Sequence, residues 1–286
     1  MNDMTMKDGV RIGVCAVCFL FCAMGFYCAL KVCSYDVDLP QVSSPFRIAL
    51  VTDLHSCRYG KNENVLVNAL CAASPDVVLL GGDIFDDKLS DANTETFLAA
   101  AARQFPCYYV TGNHEWWSGR NGFERKMQIL KKYGIRILAG ERVEMTVRGQ
   151  IVVLCGVDDP DCEWQDAPNG TFSEQVDRVS PIDGNEHAVI LLSHRPEYAA
   201  LYAQKGFDLV LTGHAHGGQW RIPGILNGLY APNQGLFPKY AGGRYLVGTT
   251  VMIVSRGLAR ESTRVPRFYN RPELVIVTVR PASDIP

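Results

Sequence analysis

FRIALVTD, residues 46–53, is a short apolar run that closes on a carboxylate. A run of this length, rich in β-branched and aliphatic residues and lacking a helical period, reads as a buried strand. A helical pattern follows at 62–73 (NENVLVNALCAA), and the strand type returns at 76–83 as DVVLLGGD. The alternation continues through a helix at 93–105, a strand at 107–114 (CYYVTGNH) and a helix at 123–134. This rhythm predicts a layered α/β domain. Further strands are expected at 135–138, 142–147, 151–157, 187–194, 207–214, 246–255 and 273–279. Two strand-rich stretches with a helix between them suggest two packed sheets. Residues 158–185 are rich in acids, Pro and Gly and read as a surface insertion.

The strand ends carry the chemistry. Asp53 and His55 close the first strand, Asp83 the second, and Asn113 and His114 the third. His194 closes a later one, and His214 and His216 the next, within LTGHAHGGQW (211–220). Carboxyl ends of strands in an open α/β sheet line the crevice where such folds bind ligands. Five of the six histidines thereby fall on one rim, and only His187 stands apart. A single Asp or His at a strand end is ordinarily a turn former. Independent turns do not explain seven ligand-type residues recurring in this order, so a metal site is expected.

Composition sets the outer bounds. With 286 residues, 47% of them hydrophobic and 20% charged, the chain can build a core without a staple, so a metal would act rather than hold. Ten cysteines are present, five of them (Cys15, Cys18, Cys22, Cys28, Cys33) in or just after the first hydrophobic segment. The other five are scattered without C-x-x-C spacing, which argues against a disulfide framework and a cysteine zinc site. A net charge of −2 makes no whole-chain case for nucleic acid. Residues 221–280 nevertheless hold nine Lys or Arg against Glu261 and Glu273, a basic band suited to phosphates or anionic head groups.

Residues 12–30 are uncharged, between Arg11 and Lys31, and are long enough to cross a bilayer. They are expected to form an uncleaved single-pass anchor whose partner is the lipid bilayer, after a tail at 1–11. Residues 31–45 would be a linker, and 46–286 the catalytic domain. Positive charge ahead of the segment leans toward an outward domain, and unpaired cysteines lean toward a reducing compartment. The membrane side stays open.

The series DLH, GGD, GNHE, SH and GHAHGG resembles the calcineurin-like metallophosphoesterase superfamily, from about residue 46 to 279. GHAHGGQWRIPG and VSRGLARESTRVPRFYNRPEL are similar to the YaeI/YkuE-type bacterial, membrane-associated branch. The resemblance implies a four-layer α/β-β/α sandwich with two divalent ions, of which Mn, Fe or Zn suit the mixed N/O ligands. Asp53, His55 and His216 would hold one ion and Asn113, His194 and His214 the other, with Asp83 bridging. His114 would be the general acid, and Arg256 and Arg267 would meet the substrate. The implied reaction is hydrolysis of a phosphodiester or pyrophosphate by metal-activated hydroxide at the bacterial inner membrane. A lipid-linked substrate such as UDP-2,3-diacylglucosamine, cleaved by a related group, is the sharpest expectation. A general cell-envelope phosphodiesterase, a nuclease of this fold, and a non-catalytic membrane-tethered binding protein are the alternatives. Trp116 and Trp117 would wall the pocket, face lipid or simply pack, Glu115 and Gln219 would support the ligands, and Arg260, Arg264 and Arg271 extend the basic series.

Overall fold

Ile48 and Leu50 point one way from their strand and Ala49 and Val51 the other, and all four are buried. The same split recurs at Val77 and Leu79 against Val78 and Leu80, and at Leu209 and Leu211 against Val210. Strands buried on both faces belong to sheets covered on both sides, which is why they read as continuous apolar runs.

The computed structural model describes residues 6–182, 186–260 and 265–282. In chain order, α1 (Met6–Gly25) precedes β1 (Lys31–Leu39), β2 (Phe46–Val51), α2 (Asn64–Ala73), β3 (Val77–Gly81), α3 (Ala92–Ala102) and β4 (Cys107–Val110). Then come α4 (Asn113–Trp117), α5 (Gly119–Lys132), β5 (Arg136–Ile137), β6 (Glu141–Val147), β7 (Gln150–Gly156) and α6 (Phe172–Val179). The series ends with β8 (Val189–Leu192), α7 (Ala199–Lys205), β9 (Leu209–Thr212), β10 (Tyr230–Ala231), β11 (Gly235–Leu236), β12 (Gly243–Val247), β13 (Thr250–Val254) and β14 (Glu273–Pro281).

One six-stranded sheet has the order β1-β14-β2-β3-β4-β5, and the other β12-β13-β9-β8-β7-β6. Between them lies a core made of strand residues and their connections, from Ile48 and Leu50 on one side to Leu154, Ile190 and Leu211 on the other. The outer face of the first sheet is covered by Leu66 and Leu70 of α2, Phe97 and Leu98 of α3, and Met127 and Leu130 of α5. The outer face of the second is covered by Val176 of α6 and Tyr202 of α7. The result is a mixed α/β sandwich of four layers. In each sheet a parallel block, β2-β3-β4 and β8-β9-β13, sends its strand ends to one rim.

Several expectations need correction. The 12–30 segment is not one membrane-spanning helix. Its helical part stops at Gly25, because Tyr269 donates its backbone N–H to the Gly25 carbonyl at 2.6 Å and Phe268 packs against the Gly25 backbone. The apolar helical stretch left, 12–25, spans about 21 Å, short of the ~30 Å hydrocarbon core. Among the described residues no helix is long and apolar enough to cross a membrane. The expected linker is also structured, since β1 pairs in parallel with β14 from Lys31↔Glu273 to Leu39↔Pro281. The single strand expected at 246–255 is a hairpin, β12-β13, turning at Gly248 with φ +60°. The supposed surface insertion packs instead, burying Asp158, Asp159, Cys162, Phe172 and Val176. Arg264 lies outside the described residues.

Candidate metal centre

The loops that follow the strands bend sharply. Asp53 (φ +52°), His55 (+46°), Asp83 (+50°), His214 (+62°) and His216 (+46°) all occupy the left-handed region. Non-glycine residues rarely go there, and a cluster of them marks a place where the surrounding structure over-determines the backbone. Two glycines clear the space beside these residues. A Cβ on Gly112 would lie 2.3 Å from Asp83 Oδ1, and one on Gly213 would lie 2.5 Å from Asp53 Oδ2.

The side chains converge in three overlapping groups, Asp53, His55, Asp83 and His216 in one, Asp83, His194 and His214 in another, and His55, Asp86 and His114 in a third. Asp83 belongs to the first two. Its Oδ2 lies 3.3 Å from His194 Nε2 and 3.5 Å from His55 Nε2. His216 Nε2 is 3.6 Å from Asp53 Oδ1, and His214 Nδ1 is 3.2 Å from His194 Nε2. Asn113 opens α4 directly after Gly112, and it is buried. Asp83 Oδ2, His55 Nε2, Asn113 Oδ1 and His216 Nδ1 are buried without an aligned hydrogen-bond partner. A buried polar atom without a partner is costly, and four of them among these ligand-type residues fit bound cations. The donor set of imidazole nitrogens and carboxylate oxygens suits a borderline divalent metal.

The outer contacts orient these groups. His194 Nδ1 lies 2.8 Å from the Gly81 carbonyl, which turns Nε2 toward Asp83. His214 Nε2 lies 2.9 Å from Asn233 Oδ1, which also accepts from Arg195 Nη1, and Arg195 is itself held by Asp159. The His214 backbone N–H donates to Asp53 at 3.0 Å, tying the two sheets together at the site. Glu115 accepts three backbone N–H groups, from Asp83, Phe85 and Gly112, and so braces the second and third loops. Burial, with Asp83 close by, pushes the Glu115 carboxyl up to about 7.

Charge follows the same geometry. Burial works against His194, but Asp83 and Asp53 outweigh it and push its pKa up to about 10. His55 is also raised, burial again opposing and Asp83 and Asp86 prevailing. Burial also works against ionisation of Asp83, yet His194, His114 and His55 hold its pKa well below the usual carboxylate range. His214 and His216 are lowered by burial, helped by Arg195 and by His55 and Arg267 respectively, and so stay neutral.

His114 stands at the edge of this cluster, with 22% of its side chain exposed. Its Nδ1 lies 2.7 Å from Asp87 Oδ1, and its ring meets His55 edge-on at 4.3 Å between centroids. Arg267 is 5% exposed, with Nε donating to the Ala259 carbonyl and both terminal nitrogens without a partner. Arg256 faces elsewhere, paired with Glu273 at 3.4 Å and donating to Asn227 and the Gly242 carbonyl. Trp116 packs on Phe123, whereas Trp117 is exposed beside His114. The sequence reading missed Asp86, Asp87, Arg195 and Asn233. The first two had a signal in the acid pair that follows GGDIF, but nothing marked Asn233, which reaches the site through a remote turn.

A model of the calcineurin-like phosphoesterase family matches residues 46–218. An uncharacterized metallophosphoesterase of Campylobacter jejuni, Cj0846, is 31% identical over 196 residues, 66% of this chain and 49% of the relative. One from Aquifex aeolicus is 31% identical over 209 residues, 72% of this chain and 73% of the relative. The phosphodiesterase YaeI of Escherichia coli is 26% identical over 242 residues, 82% of each chain. This chain thus spans about half the length of the Campylobacter relative and most of YaeI. Among solved structures, the NAD nucleotidase NadN of Haemophilus influenzae shares the fold, with a TM-score of 0.50 at 16% identity over 76% of this chain and 46% of that one. The chain belongs to the calcineurin-like phosphoesterase family, and so to the metallophosphoesterases, hydrolases of phosphoester bonds.

Proposed function

We propose that this chain is a dinuclear-metal phosphohydrolase that cleaves phosphodiester or pyrophosphate bonds. The observation that carries the reading is Asp83, one carboxylate shared by two ligand groups and left with a buried, unaligned oxygen. Asp53, His55 and His216 would hold one ion and Asn113, His194 and His214 the other. Two divalent ions in such a site supply Lewis acidity toward the phosphoryl oxygens and lower the pKa of the attacking water. Asp83, shared by both ligand groups, would offset their repulsion. Arg267 supplies two free donors to a phosphoryl oxygen. His114, fixed through Nδ1 by Asp87, gives the proton on Nε2 to the leaving oxygen.

The finer reading is a membrane-associated enzyme of the bacterial inner membrane acting on a lipid-linked substrate, UDP-2,3-diacylglucosamine being one of that class. Two features support it. The α1 surface leaves Val17, Phe19, Leu20 and Met24 exposed, an apolar surface of the kind that marks a membrane or protein interaction site. A cavity of about 280 Å³ lined by Phe26, Cys28, Arg260, Pro266 and Arg267 joins this apolar segment to the free guanidinium.

The test uses the full chain loaded with Mn²⁺, Fe²⁺ or Zn²⁺ and bis-p-nitrophenyl phosphate, with Asp83→Ala beside it. The expected result is hydrolysis that disappears in the variant together with bound metal. A fully loaded protein that is inert with every metal, here and on UDP-2,3-diacylglucosamine, would sink the proposal.

A further inference from the structure

Two tryptophans flank the edge of the metal centre in a way that neither packing nor metal binding explains. Trp117 is 45% exposed and Trp164 is 72% exposed, yet their rings lie within 14° of parallel at 6.2 Å between centroids. A large apolar side chain left this open adds nothing to a core, and stacked exposed aromatics are a feature of ligand surfaces. Trp117 is fixed on both sides. Its Nε1 donates to Asp161 Oδ2 at 2.7 Å, and its ring lies 4.6 Å from that of His114. Trp164 sits on the turn Pro160–Gln165, which Gln165 anchors by donating to the Trp116 carbonyl. Both line a cleft of about 440 Å³, together with Arg120 and Asp166.

We infer that Trp117 and Trp164 form a stacking site for a planar ring on the leaving group, so that the preferred substrates are phosphoesters of ring-bearing alcohols, nucleosides foremost. The inference rests on the hydrolase reading for where the phosphoryl group sits. His114 donates to the leaving oxygen, and the group attached to that oxygen emerges on the His114 side, against Trp117. The two rings are near-parallel with centroids 6.2 Å apart, and Trp164, 72% exposed, is the one that adjusts to a planar ring laid against Trp117. Arg120 and Asp166, weakly paired at 3.9 Å and both exposed, offer a donor and an acceptor to the polar edge of the ring.

Stacking of one base on an aromatic side chain is worth a preference of about tenfold or more. The test compares AMP with ribose 5-phosphate, which carries the same phosphate without the ring. Binding to the metal-loaded full chain is followed by tryptophan emission in a stopped-flow instrument, before turnover accumulates. AMP is expected to bind about tenfold tighter and to quench emission. Trp164→Ala should bring AMP down to the ribose 5-phosphate level without touching ribose 5-phosphate itself, and Trp164→Phe should restore most of the difference. Equal affinities in the parent protein would overturn the inference, as would a full AMP preference surviving Trp164→Ala. Ring-dependent binding without hydrolysis of any phosphoester would instead count against the hydrolase reading and leave the stacking site standing.

Discussion

Replacing Asp87 by Asn isolates proton donation from every other part of the mechanism. Asp87 is not a member of the two groups that share Asp83, and it touches His114 through a single contact of 2.7 Å. Asn keeps the shape and an acceptor oxygen but removes the charge that His114 Nδ1 faces. A hydrogen bond to a charged group is worth about 1.5–3 kcal/mol and a neutral one about 1. The difference, about 0.5–2 kcal/mol, corresponds to about a 2- to 30-fold loss of rate. Lys88 does not alter this, because its 3.4 Å pair with Asp87 is made by a solvent-exposed ammonium. The loss should appear with alkyl leaving groups, whose oxygen must be protonated as it departs, and shrink to near nothing with p-nitrophenol. Metal content should stay constant. The assay is kcat on a methyl and a p-nitrophenyl ester of one phosphodiester, measured for both proteins. Equal losses on the two esters would refute the assignment of His114 as acid, since the variant would then be disturbing the site generally.

Three further outcomes are expected. Because Asp83 and Asp53 raise His194 to about 10 in the metal-free chain, its ring is protonated at neutral pH and metal must displace that proton. Affinity should therefore rise with pH up to that value, about tenfold per unit for one proton, and titration calorimetry in buffers of different ionisation enthalpy reads the release directly. Gly112→Ala drives a Cβ into Asp83 backbone and side-chain atoms. It should cost about 1–3 kcal/mol of stability in denaturant unfolding and lower bound metal on elemental analysis. Glu115→Gln puts an NH₂ where a carboxylate oxygen now accepts from a backbone N–H. At least one buried N–H loses its partner, a loss of about 1–3 kcal/mol, visible as a lower melting temperature with or without metal.

Much of this was legible in the chain. Strands such as 48–51 and 77–81 announced themselves because both faces are buried, leaving an unbroken apolar run with a polar stop at the rim. The ligand-type residues were legible because each stands at such a stop. What could not be read depends on contacts between distant segments. The end of α1 at Gly25 is set by Phe268 and Tyr269. The strand Lys31–Leu39 looked like a linker because an edge strand exposes alternate residues, and Asp36 and Asp38 sit among them. Arg256 matched the pattern of a substrate contact, but Glu273, which engages it, is 17 residues on in a different strand.

The pairing of β1 with β14 bears on how the protein can be shortened. Trimming the apolar N terminus to improve handling would commonly begin the chain somewhere between residues 32 and 45. Any such cut removes part or all of the strip that covers Glu273–Pro281. The segment Leu274–Val279 would then present a bare row of backbone donors and acceptors beside Val275, Ile276 and Val277, a template for pairing with a neighbouring chain. A shortened chain that forms aggregates would reflect this lost border strand rather than a fault in the catalytic layers, and a first residue at or before Leu30 avoids it.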